Sequence, residues 1–221
     1  MRYQDVLFVE MGSFEAYYLI ILIHNRGQSM NRHHVLTIAA VACSTLFLFS
    51  GCASFQPIED ENVFVDVLDK AAGVEEDETI SEKNAKISGG RTEYLIAYDD
   101  GDIVLTYIRF NDKDDAMTYF TEFYKDFEDA IENRDFDGNN LRSVSRTRGY
   151  IVFDGELGDG RELSVFNAGD MYKTYFAEDT ELYGGIYVNK NVYIEAYSVD
   201  GSKRDKEKIA NVLKQLDFPK P

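Results

Sequence analysis

Two rhythms of apolar spacing organise the chain beyond residue 62. Helical spacing comes first: Phe64, Val67, Leu68 and Ala71 recur along Val63–Ala72, and Gly73 is a natural stop. The clearest helix is Asp112–Asn133, where Ala116, Phe120, Phe123, Phe127 and Ile131 form one stripe widened by Met117 and Tyr124. Asn111 or Asp112 can cap it, and Asp114 and Asp115 suit its N-terminal dipole. A last helix is expected after the capping-box pattern Ser202–Asp205, with Ile209, Val212, Leu213 and Leu216 on one face and Pro219 beyond its end.

Strand-like runs fill the rest. Tyr94–Tyr98 and Ile103–Phe110 are rich in β-branched and aromatic residues, and Asp99-Asp100-Gly101-Asp102 between them is a hairpin signal. Further strands are expected at Ser143–Asp154, Glu162–Ala168, Tyr172–Ala177, Gly185–Asn189 and Val192–Ser198, separated by Gly, Asp and Asn turns. Residues 74–92 are polar and read as a loop. The order of elements predicts an α+β fold: an antiparallel meander with about three helices packed mainly on one face, in a single domain over 62–221. That length, about 150 residues, suits one domain.

The start of the chain follows a different pattern. Met30-Asn31-Arg32-His33-His34 is basic, Val35–Phe49 is uncharged and apolar, and Ser50 and Gly51 are small, with Cys52 next. Basic, apolar and small in that order is an export signal. As a helix the apolar run spans roughly 22 Å, short of the roughly 30 Å hydrocarbon layer, so it suits a cleavable signal better than a permanent span. Signal peptides begin at an initiator Met, so Met30 reads as the true start, with residues 1–29 a mis-called start or an N-terminal extension. The competing reading of the apolar run is an uncleaved anchor or a buried helix carrying an ordinary core Cys.

Leu48-Phe49-Ser50-Gly51-Cys52 resembles the lipobox of bacterial lipoproteins. Ser50, Gly51 and Cys52 match at their places, and Phe49 stands where Leu is usual. The resemblance implies a signal peptide at 30–51, cleavage between Gly51 and Cys52, and diacylglyceryl on the Cys52 thiol. It also implies a lipid-anchored location on the extracytoplasmic face of the cell membrane, or on the outer membrane if the host has two, since Ala53 is not the retention Asp. Residues 52–61, polar and containing Pro57, are then expected to be a lipidated tether, extended and solvated.

Composition narrows the chemistry. The chain carries a formal charge of −17, with Lys plus Arg 23 against Asp plus Glu 40. Removing residues 1–51 takes Asp5, Glu10 and Glu15 but also Arg2, Arg26 and Arg32, so the excess stays with the body. Phosphate binding needs clustered bases, so nucleic acid is not an expected partner. His24, His33, His34 and Cys43 all lie before Cys52, leaving the body without His or a free thiol. Ser-His-Asp and Cys-His catalysis and Cys/His zinc sites are thereby excluded from it. No phosphate-binding or dinucleotide-binding Gly pattern is present, and no cofactor, metal or catalytic residue is expected.

The remaining candidates are modest. Asn133-Arg134-Asp135-Phe136-Asp137-Gly138 imitates the first half of a calcium loop, but Val144 stands where the bidentate acid belongs, so a polar turn is the better reading. Arg142, Arg146 and Arg148 would share a face of one strand and could meet an anion, or more simply acids such as Glu156 and Glu162. Tyr172, Tyr175, Tyr183, Tyr187, Tyr193 and Tyr197 could form a binding surface or fill the core. The function expected is a non-enzymatic binding or interaction module for a protein, peptide or cationic ligand. The alternatives are a carboxylate-dependent hydrolase at the envelope and an acidic immunity or inhibitor protein.

Overall fold

Along the two middle strands of the sheet, Ile103–Phe110 and Val192–Ser198, every residue but Arg109 is buried, inward and outward alike. The computed structural model describes residues 55–87, 90–158 and 180–221 in full, and residues 163–167 and 172–176 as strands alone. Its elements are α1 (Glu61–Val67, continued by a π turn at Leu68–Ala72), β1 (Ile80–Lys83), β2 (Lys86–Ile87), β3 (Gly90–Asp99), β4 (Ile103–Phe110) and α2 (Lys113–Asn133). Then come β5 (Phe136–Val144), β6 (Arg148–Leu157), β7 (Leu163–Asn167), β8 (Tyr172–Phe176), β9 (Glu181–Asn189), β10 (Val192–Ser198) and α3 (Lys203–Gln215).

The main sheet has eight strands in the order β1-β3-β4-β10-β9-β6-β5, with β2 also paired to β3, while β7 and β8 pair with each other. All these ladders are antiparallel. The expected α+β class with an antiparallel meander is what the fold adopts, and β5, β6, β9 and β10 are the consecutive part of that meander. The long helix carries the chain from β4 to β5, leaving room between those hairpins for β9 and β10.

Helix placement refines the expectation. Alternate residues of β4 and β10 feed two separate cores. Val104, Ile108, Tyr193 and Tyr197 join Phe120, Phe123 and Phe127 of α2 on one face. Ile103, Leu105, Tyr107, Ile194 and Ala196 join Phe64, Leu68, Ile209, Val212 and Leu213 of α1 and α3 on the other. Two helices therefore share one face, as expected, while the longest covers the opposite one. The cause is in the strands: β4 and β10 are apolar on both pleats, and each pleat must be covered.

The stripe expected on α2 is buried at Ala116, Phe120, Phe123 and Phe127. Asp112 caps the helix, accepting from the Asp114 amide at 2.7 Å, and Arg134 ends it in the left-handed region. In α1 the π turn rotates the stripe, so that Ala72 rather than Ala71 is buried. Ser202 caps α3, its hydroxyl accepting from the Asp205 amide at 3.2 Å.

Three local readings change. Residues 74–92 hold β1, β2 and the start of β3 rather than only a loop; β1 is exposed throughout, a polar edge strand without the alternation that marks half-buried ones. Residues 143–154 are not one strand, since the chain turns at 145–147 and Val144 pairs with Gly149. Residues 55–60 are extended but not solvated: Phe55 is 2 % and Ile58 8 % exposed. Gly184 illustrates the tightness of the sheet centre. Its φ is 139°, and a Cβ there would fall within van der Waals contact of Ala196 and Tyr197 on β10.

Candidate functional site

The polar groups of the body gather in three places: the two ends of the sheet and one position beneath α2. One sheet end is where Phe55 enters. Its ring meets those of Tyr150, Tyr187 and Phe218, with centroids 6.2, 5.7 and 4.7 Å away. Asn189 donates its side-chain amide to the Phe55 carbonyl (2.8 Å), and the Tyr107 hydroxyl donates to the Ile58 carbonyl (3.1 Å). Arg109 closes the segment, donating to the Glu59 carbonyl (2.6 Å), to Glu61 (2.8 Å) and to Glu93 (2.9 Å). Lys190 pairs with Glu59 at 2.8 Å. Two apolar side chains in a polar stretch, with five hydrogen bonds around them, fasten residues 55–61 to the body.

The opposite end is acidic. The β3–β4 turn presents Asp99, Asp100 and Asp102, the segment between β10 and α3 presents Asp200, and the first turn of α3 presents Asp205. One carboxylate oxygen from each of Asp102, Asp200 and Asp205 lies within 4.8 Å of the others. Asp205 is itself buried and accepts from the Ser202 hydroxyl at 2.6 Å. Burial works to raise the Asp100 carboxyl, yet hydrogen bonds from the Ile103 amide (2.7 Å), the Tyr98 hydroxyl (2.9 Å) and the Asp102 amide (3.1 Å) outweigh it and hold the group below its usual range. Lys208 lies 3.7 Å from Asp205, and Lys206 lies 3.2 Å from Asp154 and 3.5 Å from Glu181. Such an end attracts cations and basic surfaces and repels anions.

The third place is Glu195, fully buried in the middle of β10 on the α2 side. The Tyr193 hydroxyl donates to its Oε1 at 2.6 Å, and Thr106 stands directly opposite on β4. Tyr193 meets Tyr119 of α2 edge to face at 4.9 Å. Burial first, then the Glu195 charge, raise the phenols of Tyr119, Tyr193 and Tyr197 well above the usual value. A strand whose every other position is apolar hides one acid, and phenols help solvate it. Tyr193→Phe is expected to cost about 1–3 kcal/mol, the loss of one short hydrogen bond to a buried carboxylate. A urea titration of the variant checks this, and an unchanged midpoint would refute it.

Buried phenols also set an alkaline limit. Burial pushes Tyr107 up to about 12 from the model-peptide value of 10.0, and burial with the Asp100 hydrogen bond pushes Tyr98 to about 12. The native state thus holds these protons more tightly than the unfolded chain. Their contribution to stability is whole below pH 10 and declines as the pH rises from 10 toward 12. Phenolate absorbance and circular dichroism followed over that range should change together; ionisation of all phenols near pH 10 with the fold intact would contradict this.

The sequence-derived candidates are dispersed. Cys52, Gly51 and the rest of the lipobox lie outside the described residues. Arg142 sits on β5, 3.4 Å from Glu128 of α2, while Arg146 is in the exposed turn and Arg148 opens β6. They share no strand, and the acid that meets Arg142 is on the helix rather than on a neighbouring strand. Residues 133–138 divide between the end of α2 and the start of β5, where Asp137 faces Glu156, which makes them a polar turn. Tyr187, Tyr193 and Tyr197 fill the core, Tyr183 is half-buried, and the side chains of Tyr172 and Tyr175 lie outside the described residues. Glu195 was not among the candidates, although an acid inside the run Val192–Ser198 is the signal that could have found it.

No protein-family model, no curated protein and no solved structure matches this chain. Its function is therefore argued from its own residues alone.

Proposed function

We propose that the chain is an exported lipoprotein, anchored through Cys52, whose α+β body is a non-enzymatic interaction module at the outer face of the membrane. The observation that carries this reading is the cover on both faces of the main sheet. With α2 on one face and α1 and α3 on the other, the described body covers both faces of its own sheet. The exposed large apolar residues among those described are Val63 on α1, Ile80 on β1, and Leu141 and Val144 on β5, spread over three elements. The order basic, apolar, small and Cys along Met30–Cys52 supports a signal that is cut away.

The partner class this supports is a protein, peptide or cationic ligand drawn to the acidic end. The body lacks His and a free thiol for catalysis. Intact-mass measurement of the protein from its own host is the test of the anchor. It is expected to begin at Cys52 and carry acyl chains; an unmodified thiol with Val35–Phe49 still attached would end the reading. Cross-linking on intact cells with a membrane-impermeant reagent then identifies what the body holds.

A further inference from the structure

We infer that the sheet end where Phe55 enters is a docking surface for anionic lipid headgroups, which turns the acidic end away from the membrane. This rests on the anchor reading above and adds an orientation to it. Three turns meet at this end. The Lys190 amide donates to the Thr147 carbonyl (2.8 Å), Asn189 holds Phe55 (2.8 Å), and Asn111 donates to the Arg91 carbonyl (3.2 Å). The turns at 145–147 and 189–191 and the start of β3 are thus tied into one surface.

That surface gathers the bases Lys86, Arg91, Arg109, Arg146, Arg148 and Lys190 of an otherwise acidic chain. The acids Glu59, Glu61 and Glu93 are engaged by Lys190 and Arg109. Among the described residues, Lys86, Arg91, Arg146 and Arg148 have no carboxylate within 4.0 Å. Lys86 and Arg91 face each other across β2 and β3 and line, with Asn84, Thr92 and Asn111, a hollow of about 300 Å³. Two cations and two amides converging on one hollow suit a phosphate group. The acids at the start of α2 border it: Asp112 is occupied as the helix cap, Asp114 and Asp115 are in the first turn, and an Asp115 oxygen lies beside Gly90. The far end carries Asp99, Asp100, Asp102, Asp135, Asp137, Asp154, Glu156, Glu181, Asp200 and Asp205 against Arg134, Lys203, Arg204, Lys206 and Lys208. The body is therefore an electric dipole whose strongly negative pole is opposite the point of attachment.

Distance makes the dipole matter. Cys52 precedes Phe55 by three positions, a reach of roughly 11 Å at most. Salt screens charge over about 8–10 Å, so the near end lies within the field of an anionic leaflet and the far end beyond it.

The test uses the full lipidated chain in vesicles of phosphatidylcholine alone or mixed with phosphatidylglycerol. Acylation of each lysine is followed by mass spectrometry. Lys86, Lys113 and Lys190 are expected to react about five-fold more slowly on the anionic vesicles, with Lys203 unchanged. The double variant Lys86→Glu, Arg146→Glu, at two exposed positions, should abolish the difference at Lys113 and Lys190. Equal rates on both vesicles, or equal slowing at Lys203, would overturn the proposal. The anchor is read separately, from the acyl mass and from flotation on neutral vesicles. If both are missing while anionic vesicles still protect Lys190 at low salt, the anchor fails and this surface stands. If anionic vesicles protect nothing, this surface fails whatever the anchor does.

Discussion

Phe127→Ala is expected to lower the free energy of unfolding by about 3–5 kcal/mol, the range for deleting a buried ring and leaving its cavity. Phe127 is fully buried, with ring centroids 6.0 Å from Phe123, 4.9 Å from Phe136 and 5.3 Å from Phe153. It is the point at which α2 touches both β5 and β6, so no single neighbour can collapse into the space. A urea titration should show an earlier midpoint with an unchanged slope. Leu141→Ala is the control: that residue is 53 % exposed on the edge strand and should shift stability by no more than about 0.5 kcal/mol. Equal effects at the two positions would mean that α2 does not seal this face of the sheet.

Cys52→Ser is expected to reduce incorporation of labelled fatty acid from full to background. The thioether to diacylglyceryl needs a thiolate nucleophile, and a Ser hydroxyl is a far weaker one near neutral pH. Cleavage should fail with it, leaving the apolar segment on the chain. Cys43→Ser should leave both unchanged, because it lies inside the apolar run rather than at its end. The folded body should melt at the same temperature in both variants, since the first packed residue described is Phe55. Label retained in the Cys52 variant and lost in the Cys43 variant would move the attachment site and refute the cleavage point.

Residues with a strong repeat were legible in the sequence. The stripe of α2 and the caps Asp112 and Ser202 were readable because capping chemistry and helical spacing are local. The Asp99–Asp102 hairpin was equally plain. What was not legible depends on partners far away in the chain. β1 and β5 have exposed, polar surfaces and gain their strand form from the ladders to β3 and β6, which no local pattern announces. The second covered face follows from β4 and β10 lying in the middle of the sheet, a matter of topology. Residues 55–60 read as solvated because Pro57 and the acids outnumber Phe55 and Ile58, yet those two anchor the segment. At the candidate surfaces the charges were countable in the sequence, but their sorting to opposite ends was not.

The order of the sheet has a consequence for export. β9 and β10, the last of the described strands to be made, lie between the hairpins β3–β4 and β5–β6 and, among the described residues, are the strands that join them. A chain threading through a translocation channel from its N-terminus leaves these two strands until the end. If the chain is exported unfolded from its N-terminus, the halves of the main sheet have nothing to pair across until Glu181–Ser198 has passed. Under the export proposal, a keystone at the tail would delay closing of the sheet until the chain is released.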